Sequence, residues 1–104
     1  MRKYSAIIKR PDERYGHMTH ISTRLENLQK IVDGYIEVLE IRPGLDILVN
    51  EEGKLRSLTP NLRIPGDVLV GTIIIIGSKD EDFTDVPLTF ESWKAMVDKW
   101  RAET

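Results

Sequence analysis

A nearly unbroken apolar run, VLVGTIIII from Val68 to Ile76, limits the possible folds of this chain more than any other segment. Its β-branched residues favour extended backbone. A strand that is apolar at consecutive positions must be covered on both of its faces. We therefore predict that the run forms a single strand in the middle of a sheet. Gly71 inside it predicts a bulge or a close approach of another backbone segment.

Strand and helix patterns surround this run. Thr23 and Glu26 form a capping-box pattern that begins a helix ending near Asp33. Thr89 begins a second helix, whose apolar residues recur at three- and four-residue spacing. Alternation and β-branched content predict further strands at residues 4–8, 35–41, 47–49 and 54–58.

The remaining segments are predicted to be turns and loops. Pro43-Gly44 predicts a tight turn, and residues 50–53 predict a hairpin connection. Residues 11–20, 59–67 and 79–85 are predicted as loops, the second because prolines interrupt it. The order β-α-β-β-β-β-α then predicts a compact single α+β domain over residues 1–104, with a mainly antiparallel sheet of about five strands and two helices.

Composition excludes several functional classes. The chain has no cysteine, which removes disulfides, thiolate nucleophiles and thiolate-bound metals. It also has no apolar stretch approaching the roughly 20 residues that cross a membrane, so no membrane association is expected. The first residues lead into a strand pattern and not into the apolar core of a signal peptide. We expect a cytoplasmic protein.

Charge is unevenly distributed along the chain. Residues 1–30 hold 7 basic and 3 acidic side chains, whereas the whole chain has a net charge of −2. This excess is smaller than the dense basic face that nucleic-acid binding usually requires, so nucleic acid is not favoured as a partner, and a weak nucleic-acid-binding protein is only an alternative function. If both helices cover the same face of the sheet, a second copy of the chain would cover the other. On that ground we predict a homo-oligomer.

No catalytic arrangement stands out. The alternative to a binding protein is a small hydrolase that uses His17 or His20 with carboxylates of the acidic loop such as Asp82 and Asp85. The two histidines have no third ligand nearby in the sequence, so no metal site is predicted. Glycine-rich phosphate loops are absent, and no cofactor is predicted.

Polar residues in loops next to a rigid sheet are the better candidates for function, because binding residues are concentrated in such loops. Arginine and lysine would supply charge, Asn61 would orient a ligand, and Tyr15 or Tyr35 would stack on it. The alternative is that Asn61 satisfies turn amides while Arg63 pairs with Asp67 or Glu51. The candidate ligand-binding residues are Arg10, Arg14, Tyr15, Tyr35, Asn50, Glu51, Lys54, Asn61, Arg63 and Asp67.

Several segments together resemble one known family. These are IVDGYIEV at residues 31–38, LVNEEGKL at 48–55 followed by Pro60-Asn61, DVLVGT to Gly77, and DFTD at 82–85. In order and spacing they resemble the domain-of-unknown-function family numbered 3846, from about Leu25 to the C-terminal helix. The chain departs from that pattern at Leu62, where the family often has arginine, and Arg63 follows one position later.

The resemblance implies a small domain found in bacteria, bacteriophages and mobile elements, with no established activity and no catalytic residues to transfer. Together with the polar loops, it leads us to expect a phage- or plasmid-type accessory protein. We expect it to be a non-enzymatic binding module that recognises a small anionic ligand or a host protein.

Overall fold

A computed structural model describes residues 2–103, and within that range it contains eight strands and two helices. The elements in chain order are β1 (Lys3–Lys9), β2 (His17–Ser22), α1 (Leu25–Val32), β3 (Ile36–Arg42), β4 (Leu45–Asn50), β5 (Pro60–Ile64), β6 (Asp67–Val70), β7 (Ile73–Lys79), β8 (Asp82–Thr84) and α2 (Phe90–Ala102).

The strands form one large sheet and one separate hairpin. The large sheet has the order β2-β1-β7-β4-β3, with the short β8 paired to the end of β7. All of its pairings are antiparallel, and β5 and β6 pair with each other outside it. The predicted class is therefore confirmed: the domain is α+β, with a mainly antiparallel sheet and two helices.

The long apolar run is divided between two strands. Ile73 to Ile76 are fully buried in β7 at the centre of the large sheet, as expected. Val68 to Val70 instead belong to β6, because the chain turns at Gly71, where φ is +74°. The Gly71 N–H donates to the Thr59 carbonyl at 2.8 Å, and a Cβ there would lie 2.9 Å from the Leu58 side chain. The prediction of a single strand is wrong, whereas the close approach at Gly71 is confirmed.

The two helices cover opposite faces of the sheet. Leu28 and Val32 of α1 pack on one face with a cluster that includes Ile74 and Ile76. Helix α2 and the β5-β6 hairpin cover the other face, in a cluster that includes Trp93 and Leu62. Because both faces are covered within one chain, the argument for a second copy no longer applies. The homo-oligomer stays a prediction without that support.

Three segments differ from their predicted state. Residues 17–20, predicted as loop, form β2 together with Ile21 and Ser22, because this segment pairs along nearly all of β1. Residues 60–64, also predicted as loop, form β5; Pro60 is its first residue, a position where a strand tolerates proline. Residues 54–58, predicted as a strand, form turns, in which the Leu58 N–H donates to the Gly53 carbonyl at 3.0 Å.

The structure also shows how the two helices begin and which conformation the acidic segment adopts. Helix α1 is capped by Arg24 without a side-chain hydrogen bond, so the capping box at Thr23 is wrong. Thr89 does cap α2, since its side chain accepts from the Ser92 N–H at 3.0 Å. The acidic segment forms a tight turn with positive φ at Asp80 and Glu81, and then continues as β8. Neither helix among the described residues is long and apolar enough to cross a membrane.

Candidate functional site

The residues predicted to bind a ligand separate into several regions of the molecule. Asn61 is half-buried, and its Nδ2 donates to the carbonyls of Lys9 at 2.8 Å and Gly71 at 2.7 Å. Lys9 Nζ donates to Asn61 Oδ1 at 2.5 Å and to the Asn61 carbonyl at 3.1 Å. Asn61 therefore joins β1, β5 and the turn before β7, and its polar atoms are used by the fold.

Lys9 is a buried residue that no sequence pattern singled out. It has no solvent exposure, although it lies at the end of a strand. Desolvation, with a further contribution from the positive charge of Arg101, lowers the pKa of Lys9 to about 8. We name these residues, Lys9, Asn61 and Gly71, the Asn61 network.

Asn50 also has a structural role. Its Nδ2 donates to the carbonyls of Val32 at 3.1 Å and Asp33 at 2.9 Å, and its Oδ1 accepts from the Glu52 N–H at 2.8 Å. The side chain thus satisfies carbonyls at the C-terminal end of α1, which helices otherwise leave unpaired. Arg56 supports the same end by donating to the Asp33 carbonyl at 2.7 Å.

Arg14 and Tyr15 lie in the β1-β2 loop against α2. The Tyr15 hydroxyl donates to Asp98 Oδ1 at 2.8 Å and accepts from Arg14 Nε at 2.9 Å. Three cations surround the Tyr15 ring, with Arg14 at 5.4 Å, Lys94 at 5.7 Å and Arg101 at 5.7 Å from its centroid. We name this group the Tyr15 cluster; Lys94 and Arg101 join it only through the packing of α2.

Two candidates point elsewhere or interact locally. Arg10 pairs with Glu13 within the β1-β2 loop, at 3.6 Å. Arg63 is exposed on β5, where it lies opposite Val68 in the register. The alternative pairing of Arg63 with Asp67 is not formed, because Asp67 pairs with Lys54.

The remaining candidates meet at one cavity beside β3. It has a volume of about 210 Å³, and its lining includes an apolar floor of Leu39, Val49 and Leu69. Four of the predicted residues also line this cavity: Asn50, Glu51, Lys54 and Asp67. The Tyr35 carbonyl accepts from the Glu51 N–H at 2.8 Å, which places Tyr35 next to this region.

A second, more open depression continues the first along β3. It has a volume of about 500 Å³ and shares Leu39 and Asp67 with the first cavity. Ile41, Ile64 and Trp100 contribute apolar surface to it. We name the two depressions together the β3 groove.

The electrostatics of the first cavity are dominated by carboxylates. Glu37, Glu51 and Asp67 line it together with one cation, Lys54, which is already bonded to Asp67. That hydrogen bond and the one from the Val68 N–H hold the pKa of Asp67 below its usual value, so the carboxylate stays charged near neutral pH. The cavity is therefore apolar at its floor and acidic at its rim.

Exposed apolar side chains are concentrated in the same area. Leu55 at the mouth of the first cavity is 88% exposed, Tyr35 is 65% exposed and Val38 on β3 is 48% exposed. Exposed apolar surface that is grouped and rimmed by polar residues is typical of an interaction site. Glu37 and Leu39 were not among the predicted residues, because only the β3-β4 register brings them beside Glu51.

The histidines of the hydrolase hypothesis are separated from its carboxylates. His17 Nδ1 lies 3.0 Å from Glu13 Oε2 within the same loop and strand. His20 on β2 pairs with Ser5 of β1, whose N–H donates to Asp85 on its other side. Strand β1 therefore lies between His20 and Asp85.

The comparisons with known proteins give one match. The family model described as "Domain of unknown function (DUF3846)" matches residues 1–98. It confirms the resemblance found in the sequence and extends it through β1 and β2. No curated protein and no solved structure matches the chain.

Proposed function

The chain belongs to the DUF3846 family of domains of unknown function, and we propose that it is a non-enzymatic binding module whose β3 groove binds an apolar and basic segment of a protein partner. The observation that supports this function best is the composition of the groove, which combines an apolar floor with an acidic rim. The family description supplies no activity, so the proposal depends on the chemistry of the groove.

The floor and the rim favour different parts of such a segment. Leu39, half-buried on the floor, and Leu55 at the mouth offer apolar surface that a leucine-sized side chain would cover, and burial of such a side chain contributes about 1.5–3 kcal/mol. Glu40, at the rim of the second depression, would attract lysine or arginine next to it, and Glu37 and Glu51 beside the floor would repel an acidic segment. Leu55, almost fully exposed at the mouth, would lose contact with water when the partner binds.

A direct test uses two fluorescein-labelled heptapeptides that alternate a charged residue with leucine, one with lysine and one with glutamate. In fluorescence polarisation, we expect the lysine peptide to bind and the glutamate peptide not to bind. Glu40→Lys should weaken binding of the lysine peptide about tenfold, since it reverses a charge at the rim of the second depression.

The matched control is Glu91→Lys, which changes the net charge equally but lies in the first turn of α2, outside the groove. It should leave the affinity nearly unchanged. Equal binding of both peptides, or equal effects of the two substitutions, would contradict a site in the β3 groove.

The Tyr15 cluster supports a second candidate function, the binding of a small anion. Arg14, Lys94 and Arg101 approach one ring, and Asp98 is the carboxylate bonded to its hydroxyl. Phosphate groups favour sites where several cations converge. Titration with inorganic pyrophosphate should then shift the amide resonances of residues 14 and 15. The affinity obtained from these shifts should be about threefold lower for Lys94→Gln than for the wild type. Lys99→Gln on the same helix is the control, and equal titrations of both variants would exclude this site.

A further inference from the structure

We propose that the partner segment binds to the β3 groove as an added strand, forming main-chain hydrogen bonds with the free edge of β3. This inference rests on the proposed function and specifies the conformation and spacing of the segment. It commits to a protein segment of extended conformation, with apolar side chains at alternate positions and basic side chains between them.

The edge of β3 is available for pairing. Strand β3 is last in the order of the large sheet, where it pairs with β4 on its inner side. An edge strand presents unpaired N–H and C=O groups that an extended segment can satisfy. Val38, in the middle of this edge, is about half exposed.

One hydrogen bond fixes which residues of β3 face outward. The Glu51 N–H donates to the Tyr35 carbonyl, so these two residues form a hydrogen-bonded pair. Hydrogen-bonded and non-hydrogen-bonded pairs alternate along an antiparallel ladder. In the observed register, Ile36, Val38 and Glu40 therefore occupy the non-hydrogen-bonded positions, and their N–H and C=O groups point away from β4.

A bulge limits the length of this edge. The register with β4 shifts between Glu40 and Arg42, so the regular part of β3 ends at Glu40. Residues 36–40 span about 17 Å at the usual rise per residue of a strand. Bulges commonly terminate strand pairing, which predicts a bound segment of about five residues.

The side chains of the added strand would reach the groove. Glu37 and Leu39 line the groove, whereas Ile36 packs with the α1 cluster on the other face. Side chains of an added strand alternate in the same way. Alternate apolar side chains would then enter the two depressions that meet at Leu39, while the intervening basic side chains would lie on the face of Glu40.

The opposite edge of the sheet differs in chemistry. Strand β2 forms that edge. It contains His17 and His20 and no carboxylate, whereas β3 contains Glu37 and Glu40. The β1-β2 loop, which precedes β2, contributes Arg14 and Tyr15 to the Tyr15 cluster. The β3 groove lies at the opposite edge of the sheet from β2. A basic, apolar segment is complementary to the β3 edge and not to the β2 edge.

N-methylation of the lysine heptapeptide tests this binding mode with the wild-type protein. Two versions keep every side chain but methylate either the odd-numbered or the even-numbered amides. An added strand directs alternate amides to β3, so one version should lose at least tenfold in affinity while the other binds almost as well as the unmodified peptide.

Val38→Pro is the complementary change in the protein, because proline removes an N–H that points to the free edge. It should weaken binding of the unmodified peptide at least tenfold, and far more than Val38→Ala, which keeps the N–H and only shortens the side chain. Thermal unfolding of both variants verifies that they fold. If Val38→Pro does not fold, the methylated peptides still test strand addition with the wild-type protein.

The outcomes separate the two proposals. Two methylated peptides that bind as tightly as the unmodified one would overturn strand addition and leave the groove as a binding site. Failure of the unmodified lysine peptide to bind would overturn the proposed function, and strand addition with it. A loss of affinity for only one of the two methylated peptides supports both the binding site and strand addition.

Discussion

The Asn61 network and the β3 groove both include residues of the polar segment between residues 50 and 67, but they use these residues in opposite ways. In the network, the amide of Asn61 bonds to Lys9 and Gly71 and has no role left for a ligand. In the groove, Glu51 and Glu37 surround an open apolar floor. The difference shows that a polar residue in a connecting segment indicates a binding site only when its partners lie outside the fold.

The type of side chain explains this division. An amide both donates and accepts, so Asn61 and Asn50 can satisfy carbonyls and N–H groups where chain segments meet. A carboxylate only accepts, and leaving it unpaired is tolerated at the surface, where water solvates it. Asparagine in this chain therefore stabilises the fold, whereas the glutamates of the groove remain available to a partner.

The largest effect that distinguishes the two regions is expected from Asn61→Leu. The substitution preserves volume but leaves the carbonyls of Lys9 and Gly71 and the Lys9 ammonium without their partner. We expect a loss of about 3 kcal/mol in the free energy of unfolding, measured with urea. Arg63→Leu, two residues later and exposed, should change it by less than about 0.5 kcal/mol. Similar urea midpoints for Asn61→Leu and Arg63→Leu would contradict the structural role of Asn61.

A smaller loss is expected from Asn50→Ala. The variant removes the hydrogen bonds to the carbonyls of Val32 and Asp33 at the end of α1. Unfolding in urea should show a loss of about 2 kcal/mol. Glu51→Ala is the neighbouring control on the groove and should be nearly neutral for stability. If Glu51→Ala were the more destabilising change, Glu51 would belong to the fold and not to the binding site.

The pH dependence of stability tests the burial of Lys9. Its pKa is about 8 in the folded protein, below the ordinary value of 10.5, so the unfolded chain binds more protons between these values. The Lys9 contribution should therefore raise the free energy of unfolding as the pH rises from 8 to 10.5, by about 2–3 kcal/mol. Subtracting the pH profile of Lys9→Met isolates this contribution. A difference that is flat over this range would refute a depressed pKa.

The smallest effect on stability is expected in the groove itself. Leu55→Ser replaces a side chain that is 88% exposed, so unfolding in urea should change by less than about 0.5 kcal/mol. The same variant should weaken binding of the lysine heptapeptide several-fold, because Leu55 lies at the mouth of the first cavity. A variant that loses stability but retains affinity would place Leu55 in the fold and contradict its proposed role.

The sequence predicted those parts of the fold that depend on local patterns. Burial of Ile73 to Ile76, the cap at Thr89 and the buried stripe containing Trp93 follow from periodicity and capping chemistry. The division of the apolar run at Gly71 was not predictable, because it depends on the Thr59 carbonyl twelve residues earlier. Strand β2 was missed because its polar residues show little alternation; its pairing with β1 creates it.

The candidate site was predictable only in part. Glu51, Lys54 and Asp67 were identified individually, since polar loop residues near a sheet are common binding residues. Glu37 and Leu39 required the register of β3 against β4, which no local pattern specifies. The structural roles of Asn50 and Asn61 depend on distant carbonyls and became visible only in the assembled fold.

The most direct test of the binding module is a titration of the ¹⁵N-labelled protein with the lysine heptapeptide, followed by amide chemical shifts. We expect the perturbations to concentrate at residues 36–40 of β3 and 67–70 of β6, with little change around Lys9 and Asn61. Perturbations confined to residues 14–15 and α2, or no perturbation at all, would contradict a binding site in the β3 groove.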